Sequence, residues 1–324
     1  MDREIILLTG SNGYFGPYII KELVMQGYSI IANKYKHPNS RVFKNDYVKY
    51  LNFDITDIVE YENKILEIAN GKIISAVIHV AALCGDADYD NNYKVNVKGT
   101  EALISFAKKF NIKRFLHIST ICEIKIIQGP YGVTKTMGAE LVRNSKLDYT
   151  VFIPALILGP QSLGFNRICE NLFRFPLFTP LVGNGMATQH PIYVKDFAKI
   201  LILSIKNNKS INKTYQIAGK ELITFKDLLK MILKIKNRKK IFIPIPVNIV
   251  KLFGKIFESL FSIPPFTSEH VIGLTQSSKL DPKQLYADFG FEPMPLNIAL
   301  KETLQGMEDY KYYLNAHEEK EIKL

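Results

Sequence analysis

Between Glu4 and Gly159, short β-branched runs alternate with segments of helical period. "EIILLTG", "YSIIANKY", "SAVIHVAAL", "RFLHIST" and "YTVFIPALILG" read as strands. "FGPYIIKELVMQG", "TDIVEYENKILEIA", "VKGTEALISFAKKFN" and "YGVTKTMGAELVRNS" read as helices. Strands this apolar are buried on both faces, and strand–helix alternation makes neighbouring strands parallel, with helices above and below. The expectation is an α/β fold, a doubly wound parallel sheet. After Gly159 the pattern changes to loops and helices with several prolines, and "HPIYVKDFAKILILSI" and "TYQIAG" return to the parallel layer. From Leu222 onward helical segments are broken by "IPIPV", "SIPPF" and "FEPMP". This predicts a nucleotide-binding domain over 1–160 and 188–220. A smaller, mostly helical substrate lobe takes 161–187 and 221–312, and 313–324 form a charged tail.

The length, 324 residues, suits one large domain or two lobes sharing a core. No apolar run approaches the length of a membrane span, so no transmembrane helix is expected. "MDREIILL" lacks a cleavage pattern and reads as the first strand rather than a signal peptide. Cys84, Cys122 and Cys169 are odd in number and have no metal spacing, which points to a reducing compartment, a cytoplasmic location and no metal site. The formal charge of +11 is spread widely. Its densest cluster, "KIKNRKK" (Lys234 to Lys240), has no aromatic interleaving, and no nucleic-acid partner is expected.

"TGSNGYFG" follows the first strand and opens the first helix. Gly10 stands at the turn, where φ is expected to be positive. Gly13 lets backbone approach a pyrophosphate, and Gly16 allows close packing of helix and strand. Amides at the helix start then face the anion. The plain alternative is an ordinary Gly-rich turn. The strand–turn–helix context favours a dinucleotide site.

The loop resembles the TGxxGxxG signature of the extended short-chain dehydrogenase/reductase superfamily, which implies a Rossmann-type fold. Further pieces match in order. "LNFDITD" resembles the family's adenine-contacting segment and implies roles for Asp54 and Ile55. "VIHVAAL" implies that Ala81 and Ala82 line the ribose and nicotinamide. "YKVNVKGT" resembles the family's Asn-containing helix and places Asn96, whose implied role is to hold its helix and a relay water. "YGVTK" supplies Tyr131 and Lys135, and "LDPKQLYADFGFEPMPLNIALKETL" resembles the closing helix and turn. The resemblance also implies cofactor contacts at Asn12, Tyr14, Phe15 and Pro154. Two departures are visible. Only eleven positions separate Thr120 from Tyr131, which resembles the 3β-hydroxysteroid dehydrogenase and complex I 39-kDa-subunit-like branches more than the sugar-nucleotide epimerases. Ile153–Pro154 also stands where the family often has Arg-Pro.

The second strand ends with Lys34 and Lys36, and no acid occurs between Glu22 and Asp46. A basic residue there suits the 2′-phosphate of NADP, so NADP is expected ahead of NAD, with Lys34 on the phosphate. The alternative is that both lysines point into water.

Tyr131 and Lys135 are four apart and share one face of a helix. An adjacent ammonium favours the phenolate and brings Tyr131 closer to its working range as an acid/base. "HIST" offers Ser119 and Thr120, and the resemblance favours Thr120 as the hydroxyl that orients the substrate oxygen. His79 and His117 lie within strand patterns and read as core residues. In the second lobe, Asn166 and Arg167 are the substrate-binding candidates, with Arg167 suited to a phosphate. "VNIVKLFGKIFESLFSI" reads as a helix packed on the core, with a membrane-surface contact as the alternative.

The leading expectation is NAD(P)-dependent redox or epimerase chemistry at a hydroxyl/keto carbon of a nucleotide-linked sugar. A steroid- or lipid-type alcohol dehydrogenase comes second, and a dinucleotide-binding assembly or regulatory protein third. The resemblance implies a homodimer formed through the two helices "VKGTEALISFAKKF" and "YGVTKTMGAELVRNS", with Leu103, Phe106, Met137 and Leu141 offering apolar contacts.

Overall fold

The computed structural model describes residues 3–35, 41–84, 88–249, 276–311 and 320–321. Seven strands build one sheet: β1 (Ile5–Thr9), β2 (Ser29–Lys34), β3 (Val48–Asn52), β4 (Ile74–His79), β5 (Arg114–Ile118), β6 (Asp148–Pro154) and β7 (Lys213–Ile217). Their order across the sheet is β7-β6-β5-β4-β1-β2-β3, and every neighbouring pair is parallel. The order reverses at β1, between β2 and β4. Loops leaving β1 and β4 therefore diverge to opposite sides and leave a crevice at their carboxyl ends.

The inner strands β1, β4, β5 and β6 are largely buried because both faces are covered, whereas the edge strands β3 and β7 keep exposed polar residues. Ile6 and Leu8 of β1 face one cluster, together with α1 (Gly16–Met25) and α7 (Val194–Leu203). Ile5 and Leu7 face the other, under α2 (Ile58–Ala69), α4 (Gly99–Lys109) and α5 (Pro130–Arg143). Each fully buried Ile or Leu contributes roughly 1.5–3 kcal/mol.

Ahead of α4 the chain forms α3 (Tyr89–Tyr93) and a π-helical turn, Lys94–Lys98, that the sequence pattern does not signal. Leu103 and Phe106 are fully enclosed in the second cluster, under their own sheet. The expectation that they offer contacts to another subunit is thereby corrected. Met137 is 36% exposed, and with Leu141, Tyr93 and Val97 it lines an outer groove between α4 and α5.

Beyond β6 lie α6 (Leu163–Phe173), α8 (Phe225–Ile235), α9 (Lys283–Phe289) and α10 (Leu296–Lys311). Phe165, Leu228, Ile232 and Leu300 join the same cluster as Ile6 and Leu8, so this part of the chain packs on the sheet rather than around a core of its own. "IPIPV", expected only to break helices, instead overlaps the strand Ile241–Ile245, which pairs in parallel with Phe178–Val182. Each strand carries a proline, Pro180 or Pro244. A two-stranded ribbon tolerates this because a strand without a second neighbour does not need every backbone N–H. The segment 247–263, expected as a helix, lies almost wholly outside the described residues, as do Lys36 and most of the tail.

Candidate functional site

The turn after β1 is built from bare backbone. Gly10 has φ +69°, and a Cβ there would stand 2.6 Å from the Ala81 nitrogen. A Cβ on Gly16 would come within 2.0 Å of the Ser11 carbonyl oxygen. Both positions are closed to any side chain by the chain itself. Gly13 differs: the nearest heavy atom to its missing Cβ is the Gly10 oxygen at 3.5 Å, an ordinary contact. The fold tolerates a Cβ at 13, so an outside group approaching the backbone is what its absence accommodates. α1 starts directly behind, with no side chain capping its first amides. This cradle fits a pyrophosphate.

The turn is tied to β2. The Ser11 hydroxyl and amide both donate to the Asn33 carbonyl, at 2.6 and 3.1 Å. Asn12 Nδ2 donates to the Tyr35 carbonyl at 2.7 Å, and the Tyr35 amide returns to Asn12 Oδ1 at 3.2 Å. The Asn12 side chain thus helps hold the loop against the end of β2. Phe15 is buried against Phe197, ring centroids 4.7 Å apart, so only its backbone borders the cradle. Tyr14 packs towards Gly159, where a Cβ would lie 2.4 Å from its hydroxyl. Lys34, half-buried, closes β2.

Asp54 follows β3. Its Oδ1 accepts from the Thr56 amide at 3.1 Å and its Oδ2 lies 3.8 Å from Lys94 Nζ. Ile55 is enclosed and sits over Gly99, where a Cβ would be 2.5 Å from Ile55 Cδ1. Its side chain packs the segment after β3 onto the start of α4. Ala81 and Ala82 are half-buried beyond β4, with Ala81 against Gly10.

A buried polar chain underlies this region. His79 Nδ1 lies 2.8 Å from Thr9 Oγ1, and His79 Nε2 lies 2.9 Å from Thr100 Oγ1. Thr100 donates to the Asn96 carbonyl at 2.7 Å, so it accepts from Nε2–H and Thr9 donates to Nδ1. Thr9 Oγ1 in turn accepts from the Val80 and Ala81 amides, both at 3.3 Å. Burial, then the charge of Lys135, holds His79 well below the ordinary histidine range, and it stays neutral. His117 is its neighbour in register on β5, equally enclosed and equally depressed, first by burial and then by Lys135.

α5 carries Tyr131 and Lys135, the two residues expected to react. Pro130 and Tyr131 stand in its first turn, with Tyr131 half-buried. Lys135, one turn on, is 2% exposed and donates to the Ile118 carbonyl at 2.6 Å. Burial lowers Lys135 to about 8, against opposing pulls from Cys84 and Glu123. Thr120 caps the short helical turn Ile121–Ile124, accepting from the Cys122 amide at 3.3 Å. A Cβ on Gly132 would stand 2.9 Å from Cys122 Cβ, so the start of α5 packs on the turn that begins at Thr120. Lys135 and Thr120 thereby both lie at the carboxyl end of β5, with Tyr131 one helical turn before Lys135.

Asn96, in the π-helical turn, is fully engaged. Its Oδ1 accepts from the Leu83 amide at 2.9 Å, and its Nδ2 faces the Leu83 carbonyl, Asn92 Oδ1 and Thr134 Oγ1 at 3.1–3.3 Å. It clamps the segment after β4 to α5 and acts as a positioning residue. A network that spacing does not reveal lies behind Thr120. Ser119 Oγ donates to Glu123 Oε2 at 2.5 Å, and Glu123 pairs with Arg143. Ser119 is therefore committed to Glu123.

Pro154 ends β6, buried beside Ile217. Asn166 and Arg167 lie on α6, and Asn166 Oδ1 is buried without a hydrogen-bond partner among the described residues. Desolvation raises the Cys84 thiol, and the fields of Lys135 and Arg167 oppose it. Gln189 Nε2 and His190 Nε2 are also buried without partners among the described residues.

A lysine held near 8 instead of its ordinary 10.5 costs the folded state stability below pH 8, and the cost is relieved as pH rises towards 10.5. Lys135→Met is expected to be more stable than wild type at pH 7, by about 1–3 kcal/mol after loss of one hydrogen bond. Urea unfolding at pH 7 and pH 10 checks this, and the gain should shrink at the higher pH.

The family model for the NAD dependent epimerase/dehydratase family matches residues 6–218. The chain is 23% identical over 318 residues to the mouse mitochondrial NADH dehydrogenase [ubiquinone] 1 alpha subcomplex subunit 9, covering 96% of this chain and 82% of that protein. It is 23% identical over 337 residues to the UDP-glucose 4-epimerase of Vibrio cholerae, covering 94% and 97%. The solved dTDP-glucose 4,6-dehydratase of Bacillus anthracis, in complex with NAD, superposes with a TM-score of 0.74 at 15% identity, over 97% of this chain and all of that one. With the glycine cradle, the reversed strand order and a match over most of its sheet, this chain belongs to the NAD-dependent epimerase/dehydratase family.

Proposed function

We propose that the chain is an NAD(P)-dependent oxidoreductase or epimerase acting at a hydroxyl/keto carbon of a nucleotide-linked sugar. The observation that carries this is the buried Lys135 one helical turn from Tyr131, at the carboxyl end of β5. A structural dinucleotide-binding protein has no need of a desolvated ammonium there, and its cost to stability argues for use.

The bound dinucleotide supplies the hydride donor or acceptor. The Gly10–Gly16 turn holds its pyrophosphate against backbone, with Asp54 at the adenine end and Ala81 and Ala82 along the floor. Lys135 favours the phenolate of Tyr131, and Tyr131 takes the substrate hydroxyl proton or returns it to a carbonyl oxygen. Thr120 donates to or accepts from that oxygen and fixes its approach. Arg167 meets a phosphate of the substrate, with Asn166 and Gln189 offering unused polar atoms beside the cleft. We assign NADP ahead of NAD on Lys34 and the lack of an acid along β2, and a homodimer through Met137 and Leu141.

The cradle has its own test. Gly13→Ala is expected to unfold within about 0.5 kcal/mol of wild type, since nothing in the chain obstructs the methyl. Its affinity for NADPH should fall at least about tenfold, because the methyl stands where the pyrophosphate approaches. Calorimetric titration reads both cofactors, and wild type should prefer NADPH over NADH. The function itself is tested by incubating the chain and cofactor with UDP- and dTDP-hexoses and separating the products. Conversion of one of them supports the reading; turnover of a steroid or lipid alcohol alone overturns it.

A further inference from the structure

The ribbon of Phe178–Val182 and Ile241–Ile245 presents a face left exposed among the described residues. In its parallel register Ile241 lies beside Phe178, Ile243 beside Pro180 and Ile245 beside Val182. Pleating puts these six side chains on one face and Thr179, Leu181, Phe242 and Pro244 on the other. The inner side is anchored: Leu181 joins the core, Phe242 packs on it, and Thr179 donates to the Leu172 carbonyl at 3.0 Å. The outer side is wholly apolar, yet Ile241 is 70% exposed and Ile243 45%.

The loop leading into the ribbon extends this face. Phe173, Phe175 and Leu177 are all exposed, Leu177 to 75%, and the Phe175 ring stacks on Phe178 at 4.7 Å. Lys240 locks loop to ribbon by donating to the carbonyls of Leu172 and Phe175. Contiguous apolar surface of this kind on a folded chain marks an interaction site.

Its surroundings are cationic. From Lys230 to Lys240 the chain holds six Lys or Arg residues and no Asp or Glu. Arg238 and Lys239 are exposed immediately before the ribbon strand, and exposed Arg174 separates Phe173 from Phe175. The nearest carboxylate on α6 is Glu170, one turn back from Arg174.

We propose that this face docks on the surface of an anionic lipid bilayer, with Phe175, Leu177, Ile241 and Ile243 entering the headgroup boundary and Arg174, Arg238 and Lys239 meeting lipid phosphates. An apolar face with no polar side chain of its own suits a fluid apolar boundary, and cations around it suit anionic headgroups. A second copy fits less well, since a two-fold contact would set these cations against themselves. No helix among the described residues is long and apolar enough to cross a membrane, so the contact is peripheral.

The test is co-sedimentation of the full chain with phosphatidylcholine vesicles, with and without phosphatidylserine. Wild type should bind the phosphatidylserine vesicles, and weaken as salt is raised. The double variant Arg238→Glu/Lys239→Glu should bind them at least about tenfold less well. Ile241→Glu/Ile243→Glu should lose binding at unchanged melting temperature. Wild-type failure to bind, or variants binding as wild type does, overturns the proposal. So does a lowered melting temperature in the isoleucine variant, which would show the chain's own residues covering the face. Lipid-free oligomers of wild type that dissociate in that variant would assign the face to a second copy. None of these readouts involves turnover, so the result is independent of the sugar-nucleotide reading.

Discussion

Tyr131→Phe is expected to lower turnover by a factor on the order of 10² to 10⁴ while dinucleotide affinity stays within about twofold of wild type. The substitution removes one oxygen and keeps the ring, which is half-buried in the first turn of α5. The cradle at Gly10–Gly16 lies at the end of β1 and is tied to β2 through Ser11 and Asn12, so nothing that holds it is disturbed. Lys135 keeps its bond to the Ile118 carbonyl, and the helix stays seated. In the proposed reaction, what is lost is the group that moves a proton to or from the substrate oxygen. Thr120→Val should also lower turnover, by misplacing that oxygen, again with little effect on cofactor affinity. Single-turnover kinetics with a saturating dinucleotide, alongside a binding titration, separate the two quantities. A variant with full activity and full binding would remove Tyr131 from the chemistry.

Arg114→Leu should destabilise the fold by about 3–5 kcal/mol, the largest stability effect expected of any single position outside the hydrophobic clusters. Arg114 opens β5 and is 7% exposed. Its Nη1 donates to the Asp148 carbonyl at 2.7 Å. Its Nη2 reaches Thr150 Oγ1, the Ser204 carbonyl and Ser210 Oγ at 2.6–2.7 Å, and its Nε reaches the Ile205 carbonyl at 3.3 Å. One guanidinium thus fastens β6, the end of α7 and the turn before β7 to β5. Burial lowers it to about 10, so it is still charged at neutral pH. Leucine fills part of the space and leaves those carbonyls unsatisfied. β5 is five residues long, so the site at its other end is roughly 13 Å away. Cofactor affinity of the folded fraction should therefore be unchanged. Urea unfolding followed by circular dichroism, with a parallel titration of NADPH, checks both halves of the expectation.

Local sequence determined the frame. Alternation of apolar strands and helical segments dictates a parallel sheet, because strands apolar on both faces must be covered on both. Gly10 and Gly16 are legible because a positive φ and a close backbone approach admit no other residue. Tyr131 and Lys135 are legible because helical spacing sets their shared face.

The tertiary structure decided everything that depends on a partner distant in the chain. The 3.6-residue period that makes Leu103 and Phe106 apolar does not say whether they meet their own sheet or another subunit, and the sheet claims them. Asn12, Phe15 and Ile55 are placed in their segments by local sequence, but their packing partners Tyr35, Phe197 and Gly99 are distant in the chain. Asn96 is a clamp because Leu83 and Thr134 converge on it. The prolines at 180 and 244 read as breaks, since the ribbon that accommodates them joins strands far apart in sequence. Arg114 is one basic residue at a strand start until three separate segments close around it. Backbone geometry and side-chain period act over a few residues and are written locally, whereas hydrogen-bond partners and burial arise only when the chain has folded.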